Sequence, residues 1–198
     1  YANFAGYIDC VHVSTLSRYR TDFTPANFVS DTYTHWITQF ESSGYTGSWT
    51  TTATTSNIEV TVTSVGSPSL TTTQTLFGST RTLEMASASS QSVYIASTVT
   101  TPAVFTFEFW FYPTSGGKAV ASLVNGGIHF YMPSAGATIW VWAPGYWGNI
   151  FVYSGSSFAP TQNSWNHMAF MYDGTNYYLC LNGTRGIITS SAYTMPTN

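Results

Sequence analysis

Charge is what this chain has least of. Five Lys and Arg stand against eight Asp and Glu in 198 residues, a formal net charge of −3. Five cations cannot make the basic footprint that nucleic-acid binding requires, and they are too few for attachment to an anionic membrane. Long apolar runs are also missing, and nothing approaches the roughly eighteen consecutive apolar residues of a spanning helix. Cysteine is limited to Cys10 and Cys180, which excludes a disulfide framework and a structural zinc site. Both are expected as small buried residues, with a single bridge between the two ends of the chain as the alternative. The sequence opens on Tyr1 with no basic, apolar, small-residue leader behind it. A processed chain, or a window cut from a longer one, is therefore expected.

What is present points one way. The chain is 43% hydrophobic and 17% aromatic, far too apolar for disorder, and more than a quarter of it is Ser or Thr. The strongest strand pattern is Val104 to Tyr112. Phe105, Phe107, Phe109 and Phe111 fall on one face, with Thr106, Glu108 and Trp110 on the other. Pro113 and the Gly-rich run after it end the strand. Further strands are predicted at Lys118 to Val124, Ile128 to Met132, Thr138 to Trp142, Ile150 to Tyr153, Asn166 to Tyr172, Tyr177 to Leu181 and Arg185 to Thr189. Asp173-Gly174 and Asn182-Gly183 serve as turns. Upstream, Tyr7 to Val13 reads as a strand, Leu16 to Tyr19 as one helical turn, and Thr32 to Phe40 and Asn57 to Val65 as strands. The run from Thr50 to Thr55 is β-prone, and Gly66 to Pro68 is a linker. Turn signals about every ten residues, without helical periodicity, predict an antiparallel sandwich.

Two stretches resemble a known family. FTFEFWFYP (Phe105 to Pro113) followed by WNHMAFMYDGTNYYLCLNG (Trp165 to Gly183) is similar to laminin-G-like members of the concanavalin A-like lectin/glucanase superfamily. FAGYIDCVHVSTLSRYRTDFTP (Phe4 to Pro25) resembles the closing strand and tail of the same family, in the version associated with bacteriophage tail-fibre and virion-surface proteins. Cys10 stands where that pattern has an acidic residue, and His12 where it has Arg. The closing strand is thus at the start of the chain, and the jelly roll is expected to lack its last strand at the other end. The expected organisation is residues 1–29 as closing strand and tail, 30–69 as a β-rich connecting segment, and 70–198 as the jelly roll. Residues 1–29 would close their own domain, a neighbour's, or a preceding copy in an array, and an array or assembly origin is favoured. The fold class is all-β: a concanavalin A-like antiparallel jelly-roll sandwich with an N-terminal β appendage.

Because the superfamily includes glycosidases, the carboxylates matter. Hydrolysis needs two carboxyl groups across the scissile bond. Glu84, Glu108 and Asp173 are the acids of the family-like region; Asp173 is explained by its turn, and Glu108 has no acid two residues away. No enzyme and no catalytic residue are expected. Calcium needs six or more oxygen ligands, which these sparse acids do not define, so no cofactor is expected, with one carbonyl-bound calcium left open. His12, His129 and His167 have no metal spacing and read as structural residues.

The densest aromatic cluster is Trp140, Trp142, Tyr146, Trp147 and Tyr153 around a Pro-Gly turn. Exposed rings dock the C–H faces of sugars, and Asn149 and Ser154 lie nearby as polar groups. Trp142, Tyr146, Trp147 and Asn149 form the candidate glycan site, with subunit packing as the competing use of the same rings. Asn182-Gly183-Thr184 matches a glycosylation sequon, although the turn alone explains Asn-Gly. The resemblance implies a non-enzymatic structural and adhesive subunit of a virion surface fibre or similar extracellular assembly. Its expected partners are copies of itself or other virion proteins and host-surface glycans, without nucleic acid or membrane insertion. An extracellular carbohydrate-binding module and a microbial cell-surface fibre subunit are the alternatives.

Overall fold

In a computed structural model, the structure describes residues 4–29, 31–38, 40, 50–55, 58–66, 68–86, 92–97, 103–115, 118–123, 128–132, 139–142, 151–152 and 158–188. The elements are β1 (Gly6–Ser14), β2 (Thr34–Thr38), β3 (Thr50–Thr55), β4 (Ile58–Val65), β5 (Ser69–Thr71), β6 (Thr82–Met85), β7 (Ser92–Ser97) and β8 (Phe105–Pro113). They continue with β9 (Lys118–Leu123), β10 (Ile128–Met132), β11 (Trp140–Trp142), β12 (Phe151–Val152), β13 (Asn166–Tyr172), β14 (Tyr177–Leu181) and β15 (Thr184–Ile188). The fold is all-β, as the alternation and turn spacing predict. The helical turn expected at Leu16 to Tyr19 does not form. The Leu16 carbonyl instead accepts the Thr106 hydroxyl at 2.6 Å, and the Arg18 amide donates to that same hydroxyl at 3.0 Å.

Eight strands make the main sheet. Its order is β15-β14-β13-β8-β1-β6-β5, with β2 also pairing to β1, and every pair is antiparallel. Smaller sheets run β12-β11-β10-β9 and β3-β4-β7. The segment at the start of the chain is therefore a central strand: β1 pairs along its length with β8 of its own chain.

One residue lets β1 do this. The register slips between Asp9 and Val11, and Cys10 takes a positive φ of 48°. Such a bulge inserts an extra residue and reverses the side-chain parity beyond it. Ile8, Val11 and Val13 thereby all reach the core, which strict alternation would forbid, while Asp9 and His12 turn to the opposite face. The bulge also divides the far edge of β1. Gly6 to Ile8 pair with β6, and Val11 to Ser14 pair with β2.

The core lies between the main sheet and the β9–β12 sheet. Phe105, Phe107, Phe109 and Phe111 are all buried there. Phe107 stacks on Phe130 with centroids 5.8 Å apart, and Phe130 meets Phe170 edge-on at 5.4 Å. Ile139 and Val141 supply the core from the β11 region. The Asn182-Gly183 turn has φ values of 50° and 85°, the doubly positive pattern of a two-residue hairpin loop.

Both cysteines are buried thiols. Cys10 sits on β1 and Cys180 on β14, three strands apart, roughly 14 Å at the usual strand spacing and beyond the reach of a disulfide. Burial pushes the Cys180 thiol up to about 12, so it stays protonated and inert.

Candidate functional site

The outer face of the main sheet carries the polar chemistry. β1 and β2 are joined by residues 15–33, a loop closed at its neck by the Thr15 amide donating to the Tyr33 carbonyl at 2.8 Å. This strap lies across β8, β13, β14 and β15. The Tyr19 amide meets Met171 Sδ at 3.3 Å, the Phe23 amide donates to the Gly183 carbonyl at 3.0 Å, and Asp22 accepts the Arg185 amide at 2.9 Å. Tyr19 and Phe23 stack and pack on Ala169, Met171, Tyr178 and Cys180, while Phe28 covers Cys10 and Trp110.

Beneath the strap is Glu108, 1% exposed. Its Oε1 accepts from His12 Nδ1 at 2.9 Å, and its Oε2 accepts from His167 Nε2 at 3.0 Å and from the Tyr19 hydroxyl at 2.6 Å. Three donors on one carboxylate outweigh the cost of its burial. Burial alone would raise the pKa, but the hydrogen bonds from His12 and His167, with Tyr19 adding to them, hold the carboxyl at about 2. The network extends outward: His12 Nε2 lies 3.2 Å from Thr34 Oγ1, which is 3.1 Å from Asp31 Oδ1, and Asp31 takes a two-pronged pair from Arg18 at 2.8 and 2.9 Å. The Arg18 guanidinium holds the Asp31 carboxyl below the usual carboxylate range, against the smaller opposing effect of desolvation. Both ends of the strap are thus tied to the centre of the sheet through one chain of polar groups that runs from buried Glu108 out to the exposed Arg18–Asp31 pair.

This arrangement fixes what Glu108 can do. A glycosidic general acid needs a raised pKa, a path to substrate and a second carboxylate. Glu108 has its pKa depressed, has no exposed surface to speak of, and none of its three partners is an acid. The His12 and His167 side chains, expected to be structural, are 2% and 0% exposed and serve Glu108. Asp173 is a turn residue as expected: its Oδ1 accepts the amides of Thr175 and Asn176 at 2.9 and 2.7 Å. Among the described residues no group of three or more His, Cys, Asp or Glu is arranged to hold a metal ion. Asn182 is engaged as well, its Oδ1 accepting the His167 amide at 2.8 Å and its Nδ2 donating to Asn166 at 3.0 Å.

The glycan residues expected from sequence fall outside what the structure describes. Trp142 closes β11, but its side chain lies outside the described residues, as do Tyr146, Trp147 and Asn149. Among the described residues the exposed aromatic rings are Tyr33 and Phe77, while Tyr7, Tyr112 and Trp165 form a part-buried group on the outer face. Sequence reasoning missed it because these rings come from three distant segments. The usable signal was the outward parity of Tyr7 and Tyr112 opposite the Phe face.

A sandwich of this kind, with its acid sealed in, defines a lectin-like class of β protein. The family model described as the concanavalin A-like lectin/glucanases superfamily matches residues 87–197, more than half of the chain, and the chain belongs to that superfamily as a laminin-G-like member. No curated protein and no solved structure matches. β1 and the strap lie outside the matched span, yet supply a central strand of the main sheet, next to β8, and the cover of its outer face. Domains of this class are typically extracellular, non-catalytic binding modules, though some superfamily members are glycosidases. No helix among the described residues is long and apolar enough to cross a membrane.

Proposed function

We propose that this protein is a non-catalytic, adhesive and carbohydrate-recognising domain of an extracellular assembly, and that the assembly is a virion surface fibre. The observation that carries the non-catalytic part is Glu108, a buried acid on β8 that is saturated by His12, His167 and Tyr19 and covered by the strap. Such a carboxylate holds structure together; it has no proton to give a leaving group. The fibre part is supported by the Phe4 to Pro25 pattern and by a charge content of only 7%. A chain so low in charge and rich in Thr enters subunit contacts while burying few unpaired charges. Sedimentation of the native protein tests this. An oligomer or polymer is expected, and a monomer of 21.7 kDa would contradict it.

A second reading is favoured by one feature. Because β1 pairs with β8 of its own chain, the domain has no vacancy at the centre of its main sheet for a neighbour to fill. That suits an independent extracellular carbohydrate-binding module. The same sedimentation run separates the two, since this reading expects the monomer.

A further inference from the structure

The polar network around Glu108 ends beside a peptide bond. Thr34 opens β2, and its Oγ1 lies 3.2 Å from His12 Nε2. The ionised Glu108 carboxylate can only accept, so it fixes the proton of the neutral imidazole on Nδ1 and leaves Nε2 bare toward that hydroxyl. Acid, imidazole and hydroxyl thus stand in the order of a triad that activates a nucleophile. The carbonyl next to this hydroxyl is that of the preceding residue. The Tyr33 oxygen accepts from the Thr15 amide at 2.8 Å and from the Thr15 hydroxyl at 3.2 Å. Two donors therefore already meet the oxygen that turns negative when the Tyr33 carbonyl carbon is attacked. The other contacts of Thr34 Oγ1 are with Asp31, whose amide donates to it at 2.9 Å and whose Oδ1 lies 3.1 Å away. That carboxylate oxygen is already taken by Arg18 and the Tyr33 amide, which leaves His12 as the stronger base for the Thr34 proton.

The geometry points to a self-processing site: Thr34 cuts the chain at its own Tyr33–Thr34 bond, by an N→O acyl shift followed by hydrolysis. His12 Nε2 takes the hydroxyl proton as Thr34 Oγ1 bonds to the Tyr33 carbonyl carbon, and Thr15 holds the oxygen that becomes negative. The C–N bond then breaks and the proton passes from His12 to the Thr34 nitrogen. This leaves the Tyr33 acyl group as an ester on the Thr34 side chain, with a free amine at Thr34. One water hydrolyses the ester to a Tyr33 carboxylate and restores the hydroxyl, and no other reactant is needed. Tyr33 is 50% exposed, so solvent supplies that water. His12 is the catalytic base, and Glu108 is a positioning residue that acts through it. The products are residues 1–33 and 34–198. They stay together, because β1 remains paired with β8 and β6 and the Phe23 amide remains bonded to Gly183. The reaction is intramolecular, so it is independent of the carbohydrate and assembly readings and requires no external substrate.

The test is mass spectrometry of the purified full chain, incubated for days near neutral pH with and without hydroxylamine, which attacks an ester far faster than an amide. Fragments ending at Tyr33 and beginning at Thr34 are expected to accumulate. Hydroxylamine should hasten the cut and leave the first fragment as its Tyr33 hydroxamate. Thr34→Ala should abolish the cut, while Thr34→Ser, which keeps the hydroxyl, should retain it. His12→Gln should slow it about a hundredfold or more. Glu108→Gln should lose most of the rate, and Glu108→Asp, which again offers His12 an ionised acceptor, should recover part of it. Should Thr34→Ala fail to fold, the hydroxylamine arm on the parent protein decides alone. A chain that stays whole at this bond even in hydroxylamine overturns the site. A cut that persists in Thr34→Ala, or fragments that begin only at other residues, would belong to a contaminating protease and overturn it equally.

Discussion

His12 and Glu108 face each other across the β1–β8 ladder, and their side chains meet at 2.9 Å although they lie 96 residues apart in the chain. The pair joins the first strand of the chain to the central aromatic strand of the main sheet. His167 from β13 and Tyr19 from the strap converge on the same carboxylate, so four segments depend on one side chain.

Glu108→Gln should therefore destabilise the protein by about 3 kcal/mol, since the neutral amide directs an N–H group at a site where every neighbour donates. Chemical denaturation of the variant and the parent protein measures this. A loss below about 1 kcal/mol would show that the network contributes little.

The same carboxylate sets an acid limit. Its folded-state pKa is about 2, below the ordinary value of 4.5. Its stabilisation is therefore fully present above about pH 4.5 and is lost as the pH falls through 2, amounting to about 3 kcal/mol across that window. Denaturation curves at pH 6, 4 and 2.5 should fall accordingly for the parent protein. Glu108→Gln should show a correspondingly shallower decline, and equal slopes for the two would contradict the assignment.

Phe107→Ala removes a ring that is 5% exposed and stacked on Phe130, and should cost about 3–5 kcal/mol. A melting temperature within a degree or two of the parent would mean this face is not core.

Gly183 governs the strap. At φ 85° a side chain is already strained, and a Cβ there would overlap the Phe23 carbonyl oxygen. Gly183→Ala should lift the strap while leaving the β8–β13 core paired. The readout is limited trypsin digestion, in which cleavage after Arg18 or Arg20 should accelerate well before global unfolding. An unchanged digestion pattern would show that the strap does not depend on this approach.

Legibility in the sequence followed local signal. The predicted Asn166 to Tyr172 and Tyr177 to Leu181 strands match β13 and β14 residue for residue, because alternation and an Asp-Gly turn both act within a few residues. β5, β6 and β7 were not anticipated; at three, four and six residues they are too short to show a clear alternation. The Cys10 bulge was written in the spacing of Ile8 and Val11, three apart on one face, but only pairing with β8 reveals it. Glu108 read as an isolated acid because its partners, at positions 12, 19 and 167, are brought together only by the tertiary fold. The resemblance of Phe4 to Pro25 to a closing strand identified the segment; which sheet it enters is decided by the exposed bed between β8 and β6, not by local sequence.

The central claim is that residues 6–34 complete this sandwich. Without them β8 and β6 lose their shared neighbour, Glu108 loses His12 and Tyr19, and several backbone groups are orphaned at about 1–3 kcal/mol each. A domain's total stability is only about 5–15 kcal/mol. The most direct measurement is the melting and sedimentation of a chain starting at residue 35, with and without a synthetic peptide of residues 1–34. The account predicts that the truncated chain aggregates or fails to melt cooperatively and that the peptide restores a soluble, cooperatively melting species. A truncated chain that stays soluble and melts at the temperature of the parent protein, indifferent to the peptide, would contradict it.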